Sequence, residues 1–143
     1  IKACKELDLK ANAYFVLGMP GETRESLENN IKLLKDVPLN GMIAFFETPF
    51  PGTDLFKQVT EDNMVDRSDL DKFIKCDFNI YNKPLIKLGN ISFNELIKYK
   101  NRMMLAWIRR NFFDLIWNIF RGKSDYFNVS FLSRFIRYYL PSK

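Results

Sequence analysis

Phe15-Val16-Leu17-Gly18-Met19-Pro20-Gly21-Glu22-Thr23 decides how this chain folds, and about thirty residues further on Phe45-Phe46-Glu47-Thr48-Pro49-Phe50-Pro51-Gly52-Thr53 repeats its plan. Each stretch is an apolar run cut short by a Gly/Pro turn and followed by a threonine suited to capping a helix. The run from Ala11 to Met19 predicts a strand. Its lack of polar alternation predicts burial on both faces, as in a parallel sheet. Thr23 to Asp36 follows as a helix, with Glu25 near its positive end, Leu27, Ile31 and Leu34 on one face, and Pro38 as a stop. Gly41 to Phe46 is a second strand. Thr53 to Thr60 is a short helix with Leu55, Phe56 and Val59 inward, and residues 2–9 read as the end of an earlier helix. Residues 1–60 therefore predict helix–strand–helix–strand–helix, a βαβ unit whose crossover is right-handed. The Gly/Pro loops then lie at the C-terminal strand ends, the edge where α/β folds bind ligands.

Beyond this unit the composition changes. Residues 61–90 read as an irregular connection, acidic at first. Residues 91–143 form a basic, aromatic-rich helical extension. Ser92 and Glu95 have capping-box spacing, and Ile91 and Leu96 that of a hydrophobic staple. The helical pattern runs to Arg121, with Gly122 as a stop and room for a break near Asn111. A last amphipathic helix spans Val129 to Leu140, before Pro141. Residues 1–91 hold 12 Lys/Arg against 14 Asp/Glu, whereas residues 92–143 hold 10 against 3 and 13 of the 22 aromatics. That shift marks a boundary near Asn90.

Several function classes drop out. There is no histidine, which removes the commonest general base and metal ligand. Cys4 and Cys76 fit no metal-ligand spacing and read as small core residues. No apolar run approaches the roughly 20 residues that span a bilayer. Sparse cysteine and the lack of a signal peptide point to the cytoplasm, with peripheral membrane contact left open. Lys2-Ala3-Cys4-Lys5-Glu6-Leu7 has the look of a helix interior, so the chain reads as a fragment or as a product separated from its upstream half.

The loops carry the chemistry. Gly18 and Gly21 permit positive φ or close approach of backbone to a ligand, and Pro20 stiffens the turn. The free N–H groups of the next helix suit a carboxylate or ribose hydroxyls. Glu22 can accept a hydrogen bond from a hydroxyl or amine. One such loop is equally well a plain strand-to-helix turn; two at one edge favour a site. Neither matches a P-loop or a dinucleotide fingerprint.

Together the GMPGET and ETPFPGT segments resemble the radical S-adenosylmethionine (SAM) superfamily, in particular its methylthiotransferase-like and cobalamin-associated branches. The second segment and the tail look like the branch of the anaerobic magnesium-protoporphyrin cyclases. The resemblance implies an α/β fold: the C-terminal portion of a partial (β/α)6 barrel, its fifth and sixth strands here, followed by a mainly α-helical tail. It also implies that Val16, Gly18, Pro20, Gly21, Glu22, Glu47, Thr48 and Pro49 line the SAM edge, and that the reaction is radical methylation, cyclisation or another C–H transformation. The family's CxxxCxxC motif for a [4Fe–4S] cluster is absent from this sequence. The cluster ligands and the missing N-terminal half of the barrel would then lie outside this sequence, on an upstream chain of a split gene or cut away from a truncated one. This chain alone would be inactive, and any cobalamin would sit in a separate domain.

The tail has other readings. Trp107, Phe112, Phe113 and Trp117 interleave with Arg109 and Arg110. In the plainest reading the apolar stripe packs on the barrel. A second is a membrane-surface helix, the basis of a non-catalytic membrane-surface or protein-interaction module as the alternative function. Nucleic-acid binding is not expected, because Asp114 interrupts the stripe and no long Lys/Arg run is present.

Overall fold

The computed structural model describes residues 1–66, 68 and 83–120, with positions 114–116 and 118–120 as backbone only. Along the chain these form helix α1 (Lys2–Glu6), strand β1 (Asn12–Leu17), helix α2 (Arg24–Asp36), strand β2 (Gly41–Phe46), helix α3 (Asp54–Glu61) and helix α4 (Phe93–Phe120). This is the order the sequence predicts for residues 1–60. The fold of the described residues is mixed α/β with a helical C-terminal part and two parallel strands. Residues Ile1–Trp107 pack as one compact unit, and a second begins at Ile108.

The two strands pair in parallel, from Asn12 opposite Gly41 to Leu17 opposite Phe46. Their faces differ, which corrects the expectation of burial on both. Phe15 and Leu17 of β1, and Met42, Ala44 and Phe46 of β2, are buried. Tyr14, Ile43 and Phe45, on the opposite face, are exposed, and Val16 beside them is half-buried. An unbroken apolar run says that both faces avoid water; it does not say that this chain covers both.

The covered face meets a core drawn from every later element of the first unit. Leu27, Ile31 and Leu34 of α2, Val59 of α3, and Leu96, Tyr99, Met103 and Trp107 of α4 are all buried. Leu85, Ile86 and Leu88, ahead of α4, join them. Helix α2 starts as predicted: Thr23 Oγ1 accepts the Ser26 N–H, and Ser26 answers from its own Oγ to complete the box. Helix α1 buries nothing, and Cys4 is half-exposed rather than a core residue. Cys76 and the expected helix at residues 129–140 lie outside the described residues.

Helix α4 runs without a break through Asn111. Ser92 Oγ accepts the Glu95 N–H, and Ile91 and Leu96 are buried as a staple requires. The Glu95 carboxylate, however, pairs with Arg24 through two hydrogen bonds of 2.5 and 3.0 Å instead of returning to the cap. Arg102 grips Glu28 in the same forked way, at 2.5 and 2.9 Å. Two successive cross-links in the same order mean that α2 and the first half of α4 run side by side in the same direction. The Trp107 indole N–H closes the arrangement by donating to the Leu39 carbonyl at 3.1 Å. Among the described residues no helix is long and apolar enough to cross a membrane.

Candidate functional site at the strand ends

Parallel pairing brings the C-terminal ends of β1 and β2 together. The ladder continues one step past the strands, where Glu47 N–H donates to the Leu17 carbonyl at 2.7 Å. The two loops therefore leave the sheet side by side, as their spacing predicts.

Both loops are built on the same turn. Met19-Pro20-Gly21-Glu22 closes by Glu22 N–H to Met19 carbonyl at 3.0 Å, with Gly21 at φ +83°. Phe50-Pro51-Gly52-Thr53 closes by Thr53 N–H to Phe50 carbonyl at 3.2 Å, with Gly52 at φ +89°. Proline in the second position and a positive-φ glycine in the third are the type II arrangement. Each turn delivers the chain to a capping threonine, Thr23 before α2 and Thr53 before α3; the Thr53 Oγ1 accepts the Phe56 N–H at 3.2 Å. A Cβ on Gly21 or Gly52 would meet no atom within 4 Å, so backbone angle alone calls for glycine at both.

Glu22 reaches back across its turn. Its carboxylate accepts the Gly18 N–H at 2.5 Å, while Asn90 donates to the Glu22 carbonyl at 3.5 Å. Gly18 is buried at φ +88°, and Leu96 of α4 lies where its side chain would point. Partial burial raises the Glu22 pKa above the usual carboxylate value, and the Gly18 hydrogen bond opposes that rise without cancelling it. Glu22 is thus the clasp of the first loop.

The remaining predicted residues divide by surroundings. Val16 stands opposite Phe45, and Tyr14 opposite Ile43, on the uncovered face of the sheet. These four make an apolar shelf that ends at the two loops. Pro20 and Glu47 are half-buried. Thr48 is buried, with its hydroxyl donating to the Phe46 carbonyl at 3.4 Å, and Pro49 is fully buried. Thr48 and Pro49 hold the second loop from beneath, whereas Val16 and Glu47 are open to a ligand.

Lys100 was not singled out by its sequence context. Its ammonium sits 4.9 Å from the centre of the buried Phe46 ring, at the last residue of β2. Burial lowers its pKa from the ordinary lysine value. A lysine one turn after Leu96, between buried Tyr99 and Met103, was the available signal.

The residues present do not fit an iron–sulfur cluster. The sequence has two cysteines, and among the described residues no group of three or more Cys, His, Asp or Glu could hold a metal.

No protein-family model matches the chain, and no solved structure does. Partial similarities to curated proteins exist. An uncharacterized methyltransferase of Pyrococcus horikoshii is 26% identical over 110 residues, 77% of this chain and 23% of that protein. A tRNA-2-methylthio-N(6)-dimethylallyladenosine synthase of Yersinia enterocolitica is 35% identical over 63 residues, 42% of this chain and 13% of the synthase. The same synthase of Ehrlichia canis is 41% identical over 46 residues, 32% of this chain and 10% of the synthase. The chain thus spans less than a quarter of the length of these relatives. At a coarse level these local similarities support a radical SAM or methyl-transfer relationship.

Proposed function

We propose that this chain forms the SAM-side edge of a radical SAM barrel of the cobalamin-associated branch. Residues 1–60 would contribute two βα units, residues 61–90 would join them to the tail, and residues 91–143 would form the helical extension. One observation carries the reading: twin type II turns side by side at the ends of parallel strands, bordering an uncovered apolar face. Val16 and Phe45 would pack against the adenine. The turns held by Gly18, Pro20, Gly21 and Glu22, and by Thr48 and Pro49, would keep the loop backbone at a fixed distance from the ribose and the methionine moiety. Glu47 would offer a polar contact. Further strands, carrying the cysteines of a [4Fe–4S] cluster, would come from outside these residues.

SAM and its cluster would supply the radical chemistry. This chain's residues bind, orient and exclude water. The partial similarity to methyl- and methylthio-transferring proteins supports the reading, as does the edge that the two strands of the described residues present to further strands.

Calorimetric titration with SAM tests it. The chain should bind SAM, and Val16→Asp, on the uncovered face, should weaken binding at least about tenfold without changing the circular dichroism. Binding indifferent to Val16→Asp would contradict the assignment of the shelf.

A further inference from the structure

The distal part of α4 has a face for which neither the strand-end site nor the proposed SAM edge has a use. Within the second unit Phe112 and Phe113 meet edge to face, their centroids 5.7 Å apart, yet Phe113 is 82% exposed and Trp117 58%. Arg110, Phe113 and Trp117 follow one another at steps of three and four residues, so they share one line of the helix; Arg109 and Phe112 form the neighbouring line. Both arginines are exposed, and among the described residues no carboxylate pairs with either. The three ion pairs among the described residues all lie ahead of this segment. The described side chains of this face are thus aromatic and cationic, Asp114 between them lying outside the described side chains, on a helix not long and apolar enough to cross a bilayer.

Large aromatics set beside guanidinium groups match the boundary of an anionic membrane. The rings enter the acyl border, and the arginines stay among phosphate oxygens, which take their forked donors. A protein groove would satisfy the rings but supplies no reason for two exposed arginines that pair with no carboxylate among the described residues. We propose that the Arg109–Trp117 face of α4 docks the protein on the surface of an anionic lipid bilayer.

The test is co-sedimentation of the full chain with phosphatidylcholine vesicles and with phosphatidylcholine–phosphatidylglycerol vesicles, at low and high salt. Binding should need phosphatidylglycerol, weaken with salt, and blue-shift the Trp117 emission; Trp107 is buried already and contributes a constant background. Arg109→Gln with Arg110→Gln should weaken binding about thirtyfold. Phe113→Ser with Trp117→Ser should abolish it, and both pairs of changes fall on exposed side chains, so circular dichroism should stay unchanged. Absence of binding, equal binding to neutral vesicles, or binding that survives loss of Phe113 and Trp117 overturns the proposal. Self-association through this face, seen as concentration-dependent sedimentation lost in the same variants, overturns it too, as does preferential capture of tRNA in competition with vesicles.

Discussion

The Gly18 N–H donates to the Glu22 carboxylate at 2.5 Å, across a turn only four residues long. A side chain that could have faced a ligand instead locks the backbone of the loop. Glu22→Ala should destabilise the chain by about 1–3 kcal/mol, because a largely buried N–H loses its acceptor. Glu22→Gln keeps an acceptor and should lose less. Urea denaturation of both variants measures the difference.

The same carboxylate makes stability depend on pH. Its pKa is raised, burial outweighing the Gly18 hydrogen bond, so the folded chain binds this proton more readily than the unfolded chain. Wild-type stability should therefore fall as pH rises from just below 4.5 through the raised value. Glu28 and Glu95, lowered by Arg102 and Arg24, act in the opposite direction on the acid side. Glu22→Gln isolates the first effect: its Tm relative to wild type should rise with pH across that window. A constant difference would remove the role assigned to burial.

Lys100 gives a second, alkaline handle. Its pKa is lowered by desolvation, so the folded state releases this proton first, and stability should grow as pH rises through the lowered value towards 10.5. Lys100→Met keeps the stem over Phe46 and should flatten that rise. Thermal melts across the alkaline range decide it.

Trp107 anchors the near half of α4 through Leu39. Trp107→Phe retains an aromatic ring but leaves a buried carbonyl without this donor, at a cost of about 1–2 kcal/mol. Trp107→Ala should cost about 3–5 kcal/mol through the cavity it opens. The two forked Arg–Glu pairs are exposed and should matter less. Their double-mutant coupling should vanish at about 1 M salt, where the Debye length is about 3 Å.

The βαβ order was legible because apolar runs, proline stops and capping threonines speak locally. Leu27, Ile31 and Leu34 showed the inner face of α2 through spacing alone. What stayed hidden depends on partners far along the chain. Glu95 had the spacing of a capping-box residue, but Arg24, 71 positions away, takes it. The apolar strand runs predicted cover on both faces, and whether Tyr14, Ile43 and Phe45 are covered depends on what packs against the sheet, which a run of residues does not show. The Glu22 clasp could have been read: Pro-Gly in the centre of a turn folds the fourth residue back over the first. Lys100 drew no notice because a single lysine on an apolar stripe is usually taken as solvated.

The most direct test of the SAM-edge account is photo-crosslinking of radiolabelled SAM to the full chain, followed by peptide mapping. The account predicts label in the peptides bearing Tyr14–Glu22 and Ile43–Thr48, competed away by unlabelled S-adenosylhomocysteine and lost in Val16→Asp. Label confined to other peptides, or no competable label, would contradict it.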